Sequence, residues 1–276
     1  MKLDDVRAVF TDLDGTMTTG GQLLPSTYAA MAALTHAGVP VVIVTGRPAG
    51  WGEAIARLWP VTAVVTENGC VSITKDARGH WKRRYVVPAK KLPELRARMH
   101  AAADEIAELV PGARLSSDST FTEVNLAVDW NEDVKLPEAA ARRMETLLRE
   151  RGFAAVRSSV HVNFWPRGFD KLWACRRIVR DVLGGDPDVL DPYLYVGDAL
   201  NDEPMFKGFP RSVGVANIRH VWDDLVHKPA HVTRAAEGAG FEELVRGILR
   251  AGVAGKARTA KKAPAKGTRR ATRAAR

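Results

Sequence analysis

Val6-Arg7-Ala8-Val9-Phe10-Thr11-Asp12-Leu13-Asp14-Gly15-Thr16 is the stretch on which the fold turns. Its first half is short, mostly apolar and rich in β-branched residues, the composition of a buried strand. It stops abruptly at two aspartates separated by a single residue and followed by glycine. Working outward, residues 39–44 repeat the apolar run and end at Thr45, and residues 63–65 repeat it again before Thr66-Glu67-Asn68-Gly69. Residues 27–37, rich in Ala, Met and Leu and stopped by Gly38, read as the helix between the first two runs, and residues 52–58 as the helix between the next two. Buried strands alternating with helices imply a parallel sheet covered on both faces.

The same rhythm returns late. Residues 172–183 read as a helix closed by Gly184-Gly185, and residues 193–196 as a strand ending at Gly197-Asp198. Residues 212–216 and 231–233 read as two more short strands, and 241–250 as a closing helix. The middle is different. Strand-like runs at 83–87, 121–130, 154–157 and 160–165 interleave with helix-like runs at 92–109 and 136–151. The expected architecture is α/β: a Rossmann-like parallel-sheet core from residues 1–80 and 168–253, an inserted α+β unit over 81–167, and a disordered basic tail over 254–276. No repeat of fixed period is present.

The 276 residues carry a net charge of +9, from 41 Lys and Arg against 32 Asp and Glu. Nine basic residues and no acid lie in 254–276, so the rest of the chain is neutral. That tail suits weak, salt-sensitive, non-specific nucleic-acid contact or a role in solubility. It lacks the aromatic residues that stack on bases. No apolar run is long enough to span a membrane, and the N-terminal residues lack the plan of a signal peptide. The expected location is cytoplasmic, with Cys70 and Cys175 reduced.

The polar residues at the strand ends carry the chemistry. Asp12, Asp14, Thr45, Asp198 and Asp202 collect where an open α/β sheet binds its ligands. Carboxylates brought together there repel one another, and a hard divalent cation with oxygen ligands, Mg²⁺ by ligand type, resolves the conflict.

Four of these segments, taken in order, resemble the haloacid dehalogenase-like phosphatases: Asp12-Leu13-Asp14-Gly15-Thr16, Thr45-Gly46-Arg47, Lys171 in Asp170-Lys171-Leu172, and Gly197-Asp198-Ala199-Leu200-Asn201-Asp202. The resemblance covers about residues 7–249. It implies that Asp12 is a nucleophile that forms an aspartyl-phosphate, that Asp14 is the general acid and base, and that Thr45 and Lys171 hold the transferring group. It implies Mg²⁺ bound by Asp12, the Asp14 backbone carbonyl and Asp198, with Asn201 and Asp202 orienting that shell. The resemblance also implies that dehalogenases lack the second aspartate, so Asp14 argues against carbon–halogen cleavage.

The insert lies between the second and third motifs, the cap position of the branch that holds sucrose-phosphate, trehalose-phosphate and mannosyl-phosphoglycerate phosphatases and phosphomannomutase. On one strand His161, Asn163 and Trp165 share a face, with Ser159 before them, and Glu123 and Asn125 alternate in the same way on another. The resemblance implies Gly46, Arg47 and Asn68 near the substrate, and the insert adds His161, Asn163 and Arg167 as candidate substrate-binding residues, with Arg167 able to meet a second anionic group. The expected reaction is hydrolysis of a small phosphomonoester, a sugar phosphate. The alternatives are a phosphomutase of the same fold and a non-catalytic nucleic-acid-associated protein.

Overall fold

The computed structural model describes residues 1, 3–158 and 160–262, with no side chains described from 253 onward. The elements run β1 (Ala8–Thr11), α1 (Pro25–His36), β2 (Val41–Val44), α2 (Ala49–Leu58), β3 (Ala63–Thr66), β4 (Val71–Lys75) and β5 (Trp81–Tyr85). They continue α3 (Leu92–Leu109), β6 (Arg114–Leu115), β7 (Leu126–Asp129), α4 (Glu138–Glu150), β8 (Phe153–Arg157) and β9 (His161–Pro166). The last of the described elements are α5 (Lys171–Asp181), β10 (Tyr193–Gly197), α6 (Glu203–Gly208), β11 (Arg211–Gly214), β12 (His231–Val232) and α7 (Glu237–Lys262).

The large sheet has eight strands in the order β12-β11-β10-β1-β2-β3-β4-β5. From β12 to β3 every pairing is parallel, and β4 and β5 extend it as an antiparallel hairpin. The strands β1, β2 and β3 are buried at every residue, because helices cover both faces. Val9, Ile43 and Val64 pack with Met31, Ile55 and Phe241 on one side. Phe10, Val42 and Val65 pack with Cys175, Ile178 and Phe206 on the other. The chain leaves β1 toward β2 and β3 on one side and returns to β10 and β11 on the other. The C-terminal end of β1 is thus the topological switch point at which open α/β sheets bind ligands.

A second, antiparallel sheet in the order β6-β7-β9-β8 is backed by α3 and α4. Leu126, Val128, Val162 and Phe164 supply its inner face against Met99, Ile106, Met144 and Leu148.

Three expectations are corrected. Residues 81–85 are not part of the insert; as β5 they form the outer strand of the large sheet, paired with β4 through a turn in which Asp76 accepts from the Arg78 and His80 amides. Lys82, Arg83 and Arg84 are exposed there, and such edge charges conceal the period of a sheet strand. The strand expected over 121–130 is only Leu126–Asp129, because the amides just before it bond elsewhere. Helix α7 runs to Lys262, into the stretch expected to be disordered, consistent with the high helix propensity of Ala and Lys. The remainder of that tail, 263–276, and Ser159 lie outside the described residues.

Candidate active site

Asp12 extends β1 by one residue, its amide donating to Val196 O at 2.9 Å. The ladder therefore fixes its backbone and aims its carboxylate out of the sheet edge. Lys171 comes from the first turn of α5, where the Asp170 side chain caps the helix by accepting from the Trp173 amide at 2.7 Å. Its Nζ donates to Asp12 Oδ1 at 2.7 Å and to Asp202 Oδ1 at 2.6 Å, and the side chain is fully enclosed. Asp202 is saturated, since it also accepts from the Tyr195 hydroxyl at 2.5 Å and from the amides of Asp198 and Ala199. Asp198 accepts from Thr16 Oγ1 at 2.9 Å and from Asn217 Nδ2 at 2.8 Å. Gly15, at φ +73°, passes so close to Asp198 that a Cβ would sit 2.4 Å from Oδ2.

Oxygens of Asp12, Asp198 and Asp202 lie within 4.8 Å of one another. Lys171 is the ammonium bonded to this cluster, so the cluster carries excess negative charge when all three carboxyls ionise. Burial pushes Asp12 up to about 8, against the pull of Lys171, and Asp202 and Asp14 add to the rise. Burial, with Asp12 and Asp202, also raises Asp198 well above the usual carboxylate range. Burial alone would lower Lys171, but Asp12 and Asp202 outweigh it and hold the ammonium charged. Excess buried charge on hard oxygens suits a divalent cation such as Mg²⁺. Asp12 and Asp198 would hold it, because the Asp202 carboxylate is already bonded to four protein donors.

The Asp14 carboxylate lies apart from this group. Arg47 grips it with Nε at 3.0 Å and Nη2 at 3.1 Å. The same guanidinium reaches the insert, with Nη2 3.1 Å from Glu132 Oε1 and Nη1 3.5 Å from Asp118 Oδ2, and it lies over the Trp51 ring. Glu132 in turn stands 2.8 Å from His161 Nε2. The His161 hydrogen bond, followed by the charge of Arg47, draws Glu132 down to about 2 against the effect of its partial burial. These groups enclose a cleft between the sheet edge and the insert.

Of the residues named from sequence, Asp12, Asp14, Gly46, Arg47, His161 and Asn163 line that cleft. Thr45 is buried beneath it, its Oγ1 accepting from the Arg47 amide at 3.0 Å. Asn68 lies against Gly46 and accepts from Asn201 Nδ2 at 3.3 Å, with its own Nδ2 buried and unpartnered. Arg167 does not reach the cleft. It is exposed just past β9, where its Nε and Nη2 donate to the carbonyls of Phe153 and Arg149. Trp165 is packed with Cys70, Val71 and Val124 and so offers no plate to a ligand. Glu123 turns outward to Arg83, whereas Asn125 is buried on the cleft wall beside Asn163. Asp118, Thr122, Glu132 and Asn217 were not singled out in the sequence. Asn217, just beyond the end of β11, had a detectable signal in its position; the other three sit on irregular segments and had none.

The sheet, its switch point and the acidic cluster together form a site at the C-terminal edge of a mostly parallel sheet. The family model described as haloacid dehalogenase-like hydrolase matches residues 9–95. Over that stretch the chain is similar to the haloacid dehalogenase-like hydrolases, and it is an enzyme. It is 28% identical over 255 residues, 90% of this chain and 99% of the relative, to a phosphoglycolate phosphatase of Methanothrix thermoacetophila. Among solved structures it resembles one from Thermoplasma acidophilum, with a TM-score of 0.68, 18% identity and coverage of 88% of this chain and 98% of the other. It also resembles the sucrose-phosphatase of Synechocystis sp. PCC6803 in complex with sucrose and phosphate, with a TM-score of 0.62, 16% identity and coverage of 87% and 97%. At these identities the two structures speak for the fold. No helix among the described residues is long and apolar enough to cross a membrane.

Proposed function

We propose that this chain hydrolyses a small, hydroxyl-rich phosphomonoester, a sugar phosphate, through an aspartyl-phosphate on Asp12. The observation that carries the reading is the bridge from Lys171 to Asp12 and Asp202 beside Asp198, with Asp14 facing the same cleft two residues on.

Lys171 holds Asp12 Oδ1, and among the described residues no protein donor is bonded to Oδ2, which is the oxygen that attacks phosphorus. As the P–O bond to the leaving group breaks, Asp14 gives that oxygen a proton. Water then attacks the aspartyl-phosphate, Asp14 takes its proton, and phosphate and the Asp12 carboxylate are restored. To transfer protons Asp14 must part from Arg47, whose guanidinium keeps Glu132 and Asp118 as partners. The Thr45 hydroxyl hydrogen and the Lys171 ammonium face the charge that builds on the phosphoryl oxygens. Mg²⁺, held by Asp12, Asp198 and the Asp14 backbone carbonyl, would neutralise phosphoryl charge.

The cleft's insert wall offers Thr122, Asn125, Ser158, His161 and Asn163. This mixture of neutral donors and acceptors supports a polyol leaving group. The two buried cysteines are free, in keeping with a reducing, cytoplasmic setting.

The test is Mg²⁺-dependent phosphate release from a panel of sugar phosphates and phosphoglycolate, comparing the native chain with Asp12→Asn. Release from a sugar phosphate that disappears in the variant is the expected result. Preference for phosphoglycolate would overturn the substrate class. Release that survives in Asp12→Asn would overturn the mechanism, and activation by a sugar bisphosphate would mark a phosphomutase.

A further inference from the structure

The loop that follows β3, Glu67-Asn68-Gly69-Cys70, is the place where the large sheet and the insert are joined. Three consecutive residues have positive φ: Glu67 at 53°, Asn68 at 54° and Gly69 at 104°. For Glu this is a rare conformation, and such backbone persists only where the surroundings impose it. The surroundings are specific. The Glu67 amide donates to Arg47 O and the Asn68 amide to Thr45 O, which ties the loop to the second motif. Cys70 O accepts from the Val86 amide, on the connection that leaves the sheet for the insert. Gly69 lies so close to the returning connection that a Cβ would sit 2.2 Å from Asp170 O.

The Glu67 side chain completes the junction. It is fully buried, and its carboxylate accepts four backbone amides. Oε1 takes Ala49, at the start of α2, at 3.0 Å and Glu123 at 2.8 Å. Oε2 takes Val124 and Asn125, each at 2.7 Å. One donor belongs to the core and three, consecutive in sequence, to the insert. The segment so held carries Thr122 and Asn125 on the cleft wall, and Val124 inserts into an apolar seam with Ala49, Cys70, Val71 and Trp165.

We propose that Glu67 is a positioning residue: its carboxylate clamps residues 123–125 of the insert to the sheet edge and so sets the wall that receives the leaving group. This rests on the reading above for what the cleft binds, but the clamp itself does not. Charge-assisted bonds to backbone amides are strong and short, and replacing the carboxylate by an amide turns a donor toward other donors. Ground-state binding of the leaving group is then lost, while the phosphate subsite on Asp12, Thr45 and Lys171 is left in place.

The test uses the full chain with Glu67→Gln and the shorter Glu67→Asp. Hydrogen–deuterium exchange should show amides 123–125 exchanging about tenfold or more faster in E67Q, with those of β1 and β2 unchanged. In kinetics, KM for the fastest sugar phosphate of the panel should rise about tenfold, with kcat and the inhibition constant of inorganic phosphate within about twofold. E67D, which keeps the charge, should fall between native and E67Q in both. Unchanged exchange at 123–125 overturns the clamp, and so does a parallel loss of sugar-phosphate and inorganic-phosphate binding. Should E67Q lose protection throughout, E67D is judged by the same criteria. If the native chain releases phosphate from nothing, the proposed function fails, and the exchange measurement still decides the clamp.

Discussion

Lys171 and Asp202 meet at 2.6 Å with both side chains closed to solvent. The pair lies 31 residues apart in sequence, on α5 and on the turn after β10, and it shapes the site from below: Asp202 holds the ammonium, and the ammonium holds Asp12. A buried ion pair adds little over an apolar pair, but removing one partner leaves uncompensated charge. Lys171→Met should therefore cost about 3–5 kcal/mol in metal-free protein, read from urea unfolding, and should cut turnover by roughly a hundredfold or more. A variant with native stability would show that the carboxylates relax into water, against the enclosed geometry found here.

The raised Asp12 carboxyl predicts a pH dependence whose sign is fixed. Its pKa is about 8 in the folded, metal-free chain, against ~3.9 for an unfolded aspartate. Between those values the native state binds the extra proton, so stability falls as pH rises through the window. The contribution is complete below the unfolded value and gone above about 8. Asp198, also raised, acts in the same direction. In EDTA, the melting temperature of the native chain should drop from pH 5 to pH 8 more steeply than that of Asp12→Asn. With saturating Mg²⁺ the drop should vanish, because the cation binds the ionised carboxylates. Parallel profiles for native and variant in EDTA would refute the assignment.

The three strand ends that carry site residues were legible in the sequence because each is set by local rules. An apolar β-branched run stops at Asp12, Thr45 or Asp198, and the sheet's topology then brings the stops to one edge. Lys171 was legible only through its resemblance to a motif, since nothing local says that a lysine at a helix start will turn inward. What escaped was set by non-local partners. β7 is short because Glu67, 56 to 58 residues earlier, takes the amides of residues 123–125. The alternation of His161, Asn163 and Trp165 was read correctly as one face, yet that face crosses from cleft to seam before it reaches Trp165. Arg167 was misplaced because β9 ends at Pro166 and the chain turns outward.

Arg47 joins both halves of the cleft, gripping Asp14 on one side and Glu132 and Asp118 on the other. Its planar fork makes these bonds together, which a lysine ammonium cannot do. Arg47→Lys should lower kcat/KM by about 10- to 100-fold through loss of the bridge to Glu132 and Asp118 that holds the two halves of the cleft in register, while Mg²⁺ affinity, which the proposed reading assigns to Asp12 and Asp198, stays within about twofold. Steady-state kinetics beside a Mg²⁺ titration of the melting temperature separates the two. A matching loss of Mg²⁺ affinity would show that Arg47 supports the metal residues instead.

Gly15 is required twice over. Its φ of +73° lies in the left-handed region, and its α-carbon faces Asp198. An alanine there costs about 1–2 kcal/mol in backbone strain alone. The new methyl would also sit 2.4 Å from Asp198 Oδ2, and that oxygen is not free to yield, since Asn217 donates to it while Thr16 holds the other. Asn217 Nδ2 also donates to Gly15 O at 2.9 Å, so the displacement would pass into the turn itself. Gly15→Ala should therefore weaken Mg²⁺ binding by about tenfold or more, as loss of outer-shell support does, and reduce turnover at low Mg²⁺ more than at saturation. Calorimetric titration with Mg²⁺ checks the first effect, and turnover across a Mg²⁺ series checks the second. Native affinity in a folded Gly15→Ala would mean that Asp198 can move without harm, which would remove it from the metal-binding pair.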